Sequence, residues 1–290
     1  MFGIILIDKP LEMTSHDVVA ILRGRFKTKR IGHSGTLDPM ATGLLVIAVG
    51  PATRFLQFLP LEPKVYQAEL HFGRTTASYD QEGETVEEKP VPADLRARLE
   101  AVIPQFMGAQ AQLPPMFSAV KVNGQPLYKL ARKGEEIERK TREIHIERID
   151  LLEFNDDKAV IEVECSGGTY IRTLAHDIGQ AIGCGAYLSN LVRTQVGEFT
   201  LEGAQNPKEA TLDGLIPLAE ALHPMPSREL SETELFRVRN GNPVANTIIE
   251  DGHYCMLVDS GGRVMAVARG EGTVLQPECV LPTEAFDAAL

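Results

Sequence analysis

An aspartate set between a glycine-rich run and a proline has the plainest chemical potential in this sequence. Asp38 lies within Gly32-His33-Ser34-Gly35-Thr36-Leu37-Asp38-Pro39-Met40-Ala41-Thr42-Gly43, whose glycines and proline predict an irregular loop. Proline fixes the local backbone and removes a donor. Residues 44–50 follow as an unbroken apolar run, the pattern of a fully buried strand. A carboxylate on so rigid an edge can project into a cleft. It can equally be a turn aspartate that bonds its own backbone, as most Asp-Pro pairs are. The loop is not a phosphate cradle, because it lacks the Lys-Ser/Thr ending of a P-loop and spaces its glycines wrongly for a dinucleotide site.

Arg172 is the second candidate. It falls at the start of an expected helix, after an expected strand and Gly167-Gly168. The helix dipole disfavours a cation in the first turn. Either a nearby carboxylate compensates it, or its stem lies over the core with the charge in solvent. By residue type alone Tyr66 and Tyr170 read as packing aromatics and His33 as a solvent-exposed loop histidine. No Ser/His/Asp order, zincin motif or carboxylate pair supports a hydrolase. Cys165, Cys184, Cys255 and Cys279 are scattered without ligand spacing, so reduced core thiols are expected and a metal site is not.

These residues need elements to hold them. Residues 2–8 read as a buried strand, and residues 16–26 as a helix with Val18, Val19 and Leu22 on its apolar side. Residues 64–73 alternate, turning Tyr66, Ala68, Leu70 and Phe72 to one face. Leu95, Leu99, Val102, Ile103 and Phe106 have helical spacing, and residues 159–165 alternate as a strand. A helix carries Ile171, Leu174, Ala175, Ile178 and Ile182 and ends at Gly183. Strands outnumber helices without alternating regularly with them. The fold class is therefore α+β, with a mixed sheet rather than a doubly wound parallel one.

Around Pro224-Met225-Pro226 the character changes, which divides the chain into residues 1–228 and 229–290. Ser231 and Glu234 form a capping-box pair opening a short helix. Residues 254–259 and 263–268 form a hairpin around Gly261-Gly262, and residues 274–281 complete a small β-rich module.

A length of 290 residues makes two domains the default. Hydrophobic content of 43% and charged content of 24% match an ordinary soluble composition. No apolar run approaches the roughly 18 residues of a membrane span, and no secretion signal opens the sequence, so a cytoplasmic location is expected. The net charge of −11 argues against a nucleic-acid partner. Its distribution is uneven: residues 1–228 carry 25 basic and 30 acidic groups, residues 229–290 carry 4 and 10. Arg23, Arg25, Lys27, Lys29 and Arg30 form one basic run. Lys129, Arg132, Lys133, Arg139, Lys140 and Arg142 form another, diluted by Glu135, Glu136 and Glu138. On charge alone both read as solvated faces.

The loop around Asp38 resembles the GHxGxLDPxATG signature of TruB-type pseudouridine synthases. Four further blocks resemble the family in order. They are Ile7-Asp8-Lys9-Pro10 with Thr14-Ser15; Lys64-Val65-Tyr66 ending in Phe72-Gly73; Pro114-Pro115-Met116-Phe117-Ser118-Ala119-Val120-Lys121; and Cys165-Ser166-Gly167-Gly168-Thr169-Tyr170-Ile171-Arg172-Thr173-Leu174. Together they span residues 1–200. Gly167 stands where the family often has Lys, and Phe117 where it often has Tyr. The C-terminal module resembles a PUA-like RNA-binding domain.

The resemblance implies a largely antiparallel sheet of the pseudouridine synthase type, and the isomerisation of a uridine to pseudouridine in the TΨC loop of tRNA, at position 55. Asp38 would be the nucleophile, attacking either ribose C1′ or uracil C6. Arg172 would be its charge partner, since a nearby cation favours the ionised carboxylate. Tyr66 would stack on the extruded uracil and take the C5 proton. Tyr170 would line the pocket and orient the charged pair, Leu191 would form an apolar wall, and His33 would fill the place the base leaves in the RNA loop. No metal or other cofactor is implied. The expected partner is the TΨC stem-loop of tRNA, met by a monomer without a membrane. A non-catalytic RNA-binding or tRNA-chaperone protein on the same fold is the alternative, and it could dispense with Asp38, Arg172 or Tyr66, all of which are present.

Overall fold

Segments of period two fold as strands and segments of period 3.6 as helices, with most ends shifted by a residue or two, and the helical spacing from Leu95 to Phe106 ends as a 3-10 turn over Ile103–Phe106. The computed structural model describes residues 2–118, 121–122, 124–131, 134–135 and 137–287. The chain opens with β1 (Gly3–Lys9), α1 (Ser15–Arg25), β2 (Ile31–Ser34) and β3 (Ala41–Val49). Strands β4 (Lys64–Phe72), β5 (Arg74–Thr76) and β6 (Thr85–Glu88) precede α2 (Leu95–Val102) and β7 (Gly108–Gln112). Short β8 (Lys121–Val122), β9 (Gln125–Pro126) and α3 (Leu127–Ala131) lead to the long strands β10 (Arg142–Asn155) and β11 (Lys158–Cys165). Helix α4 (Ile171–Ile182) is followed by β12 (Ala186–Val196) and β13 (Phe199–Thr200). The rest comprises α5 (Leu218–Ala221), β14 (Ser227–Glu229), α6 (Glu232–Arg239), β15 (Val244–Ala245), β16 (Tyr254–Val258), β17 (Val264–Glu271), β18 (Val274–Val280) and α7 (Thr283–Asp287).

Nine strands form one sheet in the order β1-β3-β12-β4-β11-β10-β7, with β2 on β3 and β13 on β12. All pairs are antiparallel except β12 with β3, where Leu191 lies beside Ala41. The expected mixed, largely antiparallel sheet is present. On β4 the alternation holds: Tyr66, Ala68, Leu70 and Phe72 are buried, in the same core cluster as Leu174, Ala175 and Ile178 of α4. Strands β1 and β3 are buried on both faces, which is why residues 44–49 are apolar without alternation. Ile5, Ile7, Leu45 and Ile47 meet Val18, Val19 and Leu22 of α1. Ile4, Leu44, Val46 and Ala48 face the other way and join Leu257, Ala266 and Leu275 of a second sheet.

That second sheet has five strands in the order β14-β16-β17-β18-β15, and β14 places its start at Ser227. The β-rich module thus shares one apolar core with the large sheet, and Arg54 Nη1 donates to the Val280 carbonyl at 2.9 Å. The capping boxes are formed, Ser231 with Glu234 on α6 and Thr14 with Asp17 on α1.

Two readings change, and the first basic run, though exposed as expected, also makes backbone contacts. Residues 32–34 and 41–43 are strand, because β2 pairs along β3 and β3 begins early, so the loop shrinks to residues 35–40. β10 and β12 were not anticipated. β10 is interrupted by two register shifts, and β12 carries a charged residue, Arg193, at an almost fully buried position. Arg23 and Arg25 of the first basic run hydrogen-bond backbone carbonyls of Ile31, Lys208 and Ala210. Arg132, Lys133 and Glu136 of the second, and Ala119 and Val120 of the fourth sequence block, lie outside the described residues.

Gly43 is where β1, β3 and β12 meet, opposite Lys9 and Arg193. Its φ is +98°, and a Cβ there would stand 2.4 Å from the Arg193 carbonyl oxygen. Gly43→Ala therefore combines backbone strain with a collision against backbone that has no room to shift. Destabilisation of at least about 1–3 kcal/mol is expected from the strain alone, read as a lower urea midpoint; an unchanged midpoint would contradict the close approach.

Candidate active site

The Asp38 loop is short of regular structure, so its backbone polar groups need partners from elsewhere. Side chains from three elements supply them. Ser15, at the start of α1, bonds Leu37 twice: its Oγ accepts from the Leu37 amide at 2.9 Å and donates to the Leu37 carbonyl at 3.3 Å. Lys9, at the end of β1, is completely buried and donates from Nζ to the carbonyls of Pro10, Met13 and Pro39 at 2.9, 2.6 and 3.5 Å. Burial pushes its ammonium down to about 8, with the Asp38 carboxylate pulling the other way. Arg193, on β12, is 1% exposed and donates to the carbonyls of Leu44 and Gly35 at 2.8 and 3.1 Å. The Asp38 carbonyl closes the loop by accepting from the Ala41 amide at 3.1 Å.

Arg172 sits in the first turn of α4, where the dipole is against it, and is 4% exposed. Its compensation is a pair of carboxylates. Nη2 lies 2.9 Å from Asp38 Oδ2, and Nη1 lies 3.1 Å from Asp80 Oδ2. The carbonyls of Phe117 and Ser78 accept from Nη2 and Nη1 at 2.8 and 3.1 Å. The compensating-carboxylate reading of Arg172 is the one the fold adopts. Asp38 is the asymmetric member of the trio: its side chain is 40% exposed against 5% for Arg172 and 6% for Asp80.

The other expected residues converge to differing degrees. Tyr66 is 8% exposed on β4. Burial pushes its phenol up, while the Arg193 guanidinium, in hydrogen-bonding range, acts against the shift. Leu191 on β12 is buried between Ala41 and Ala68, in the same cluster as Leu37, Met40 and Tyr66. Tyr170 caps α4, its backbone held by Gln112, whose side-chain amide bonds both the Tyr170 amide and carbonyl. The Tyr170 phenol makes no hydrogen bond among the described residues. His33 is not a loop residue but a half-buried one on β2, edge-on to His16 at 5.6 Å. Pairing of β2 with β3 draws it inward. Its Nδ1 is buried without a partner, and burial followed by the nearby His16 and Arg193 holds the imidazole below its ordinary range.

Three contributors were missed. Lys9 looked like the polar stop of a strand, Arg193 lies on an unanticipated strand, and Asp80 sits in an acidic turn resembling any solvated one. The two departures from the family pattern are accommodated locally. Phe117 serves through its carbonyl, which is indifferent to side-chain type. At Gly167 a Cβ would stand 2.6 Å from Glu62 Oε1, which here accepts from the Gly167 amide at 3.0 Å.

Comparison with known proteins agrees with this architecture. Residues 23–171 match the family model for the TruB family pseudouridylate synthase N-terminal domain, and residues 172–224 the tRNA pseudouridylate synthase B C-terminal domain. A chain in the crystal structure of a Cbf5-Nop10-Gar1 complex superposes with a TM-score of 0.71 at 25% identity, over 98% of this chain and 86% of that one. The tRNA pseudouridine synthase B of Pseudomonas fluorescens (strain Pf0-1) is 45% identical, covering 91% of this chain and 90% of that protein. The protein of the same name from Azoarcus sp. (strain BH72) is 41% identical, covering 97% and 95%. Fold and matches define a pseudouridylate synthase, an isomerase that converts uridine to pseudouridine. Within that class the chain belongs to the TruB family.

The buried cations that hold the loop lead to a test of its construction. Lys9→Met keeps the length of the side chain and removes a buried charge, which by itself can be neutral or stabilising. It also strands the carbonyls of Pro10 and Met13, while that of Pro39 keeps the Glu12 amide, and each buried polar group left unpaired costs about 1–3 kcal/mol. The second effect wins, so a lower urea midpoint is expected. A variant as stable as the parent would show that Lys9 does not hold the loop.

Proposed function

We propose that this chain isomerises a uridine of tRNA, the one at position 55 in the TΨC arm, with Asp38 as the nucleophile. The observation that carries this reading is the two-sided environment of Asp38. Oδ2 is held by a buried guanidinium, while Oδ1 has no hydrogen-bond donor among the described residues and the side chain remains open to solvent. A carboxylate posed on one oxygen and free on the other is arranged to attack.

Attack at C1′ or C6 would precede cleavage of the glycosidic C–N bond. The uracil then rotates, a C1′–C5 bond forms, the bond to Asp38 breaks, and the proton lost from C5 is balanced by one gained at N1. One bond is exchanged for another without oxidation, hydrolysis or a group donor, so the chemistry calls for no metal or organic cofactor. Tyr66, neutral in its buried setting, offers its face to the extruded base, and Leu191 offers an apolar wall beside it. As base for the C5 proton Tyr66 would act as phenolate, a form that burial opposes and the Arg193 guanidinium favours. Tyr170 would line the pocket and orient the charged pair. A stacked base must leave its helix before any of this, at a cost of a few kcal/mol, and His33 would fill the vacated position.

The RNA would be read chiefly through the shape of its folded loop. Residues 229–290, taken as a PUA-like domain, position the tRNA rather than attract it, since that stretch carries 4 basic and 10 acidic groups. The enzyme is taken to work as a monomer in the cytoplasm. Among the described residues no helix is long and apolar enough to cross a membrane.

Tritium release from unmodified tRNA carrying 5-³H-uridine tests the reading. The parent protein should release one equivalent per tRNA without added cofactor, and Asp38→Asn should fall to background while still binding RNA. His33→Ala should slow turnover moderately, on the order of 10-fold, because stacking on a base is worth about 1–3 kcal/mol. Release by Asp38→Asn at the parental rate would remove Asp38 from the chemistry, and release from a uridine outside the TΨC arm would remove the substrate assignment.

A further inference from the structure

The loop that delivers Asp80 contains a strained residue. Tyr79 lies between Ser78 and Asp80 with φ +63°, the left-handed region that a bulky side chain rarely enters. That conformation makes the Ser78 carbonyl and the Asp80 carboxylate converge on one nitrogen, Arg172 Nη1, each at 3.1 Å. Something must hold Tyr79 there. Its backbone is tied to β12, where the Tyr79 carbonyl accepts from the Leu188 amide at 3.0 Å and the Gln81 amide donates to the Leu188 carbonyl at 3.0 Å. Its ring is stacked on the His176 imidazole, with centroids 3.9 Å apart and planes 18° from parallel.

His176 lies on α4 four residues after Arg172, and residues so spaced share a helix face. One face of α4 therefore carries both the guanidinium and the ring that grips the residue between its two acceptors. His176 Nδ1 is buried without a partner, so the imidazole is not held there by a hydrogen bond from that nitrogen. Burial also holds its protonation below the ordinary histidine range, which keeps a second cation away from Arg172.

We propose that the Tyr79–His176 stack is a positioning device for the reaction: it fixes Asp80 against Arg172, and through Arg172 sets the pose of Asp38. This rests on the reading of Asp38 as nucleophile. Neither residue touches the reacting atoms. Their contribution falls on the chemical step and not on RNA capture, because what they fix is Asp80, the acceptor that Arg172 Nη1 uses, while Asp38 lies on Nη2.

The test is tritium release measured as kcat and KM separately, with RNA affinity measured by filter binding. Tyr79→Phe and His176→Phe keep a stacked pair and should turn over as the parent does. His176→Ala should lower kcat on the order of 10-fold, the scale of one lost aromatic contact, with KM and affinity unchanged. Tyr79→Gly is the decisive variant, since glycine takes positive φ without strain and should fold at least as well as the parent. It lacks the ring, so a fall in kcat like that of His176→Ala is expected at an undiminished urea midpoint. Parental kcat in Tyr79→Gly or His176→Ala, while Asp38→Asn is inactive, would overturn the positioning role alone. Turnover by Asp38→Asn would instead overturn the nucleophile reading, and this inference with it.

Discussion

A guanidinium can leave water only if its donors find acceptors and its charge finds a counter-charge. Arg172 meets both conditions in a place where the helix dipole makes them harder to meet. Two carboxylates and two carbonyls converge on it from three separate segments: the Asp38 loop, the turn after β5 and the chain at Phe117. That requirement ties the site together. Removing one partner of a buried pair typically costs about 3–5 kcal/mol, so the Asp80 side is a fixed frame. Asp38, more exposed, is held against that frame by one oxygen.

The rest of the site repeats the device with single cations. Lys9 and Arg193 are buried and directed at backbone carbonyls around Asp38. A loop rich in glycine would otherwise be free to move, and the six residues between β2 and β3 contain no regular hydrogen bonding of their own. Strong donors convert it into a rigid mount. The net charge of −11 is consequently a poor guide to the site, because the cations that matter there are interior ones and do not face solvent.

What was legible in the sequence was what is written locally. The period-two face of β4, the unbroken apolar run of β3, the helix carrying Arg172 and the Ser231–Glu234 capping box all appear as read. The glycine-proline context drew attention to Asp38 without deciding its role, and the resemblance to a family supplied the role. Other features depended on distant partners. Asp80 is buried by an arginine 92 residues away, and nothing in its neighbours distinguishes it from a surface turn. β12 lies in the middle of the sheet, yet Arg193 within it argues against a buried strand until its carbonyl partners are known. His33 looked like a loop residue because its pairing with Ile47 is invisible to local pattern.

The dependence of the site on a shared guanidinium is measured most directly by the coupling between Asp80 and Arg172. Single-turnover rates would be compared for Asp80→Ala, Arg172→Ala and the double variant. If Asp80 acts only by fixing Arg172, the double variant should be no slower than the slower single one, because residues acting as a unit are strongly non-additive. Rate losses that simply multiply would mean that the two residues work independently, and the account of Arg172 as the keystone of the site would be wrong.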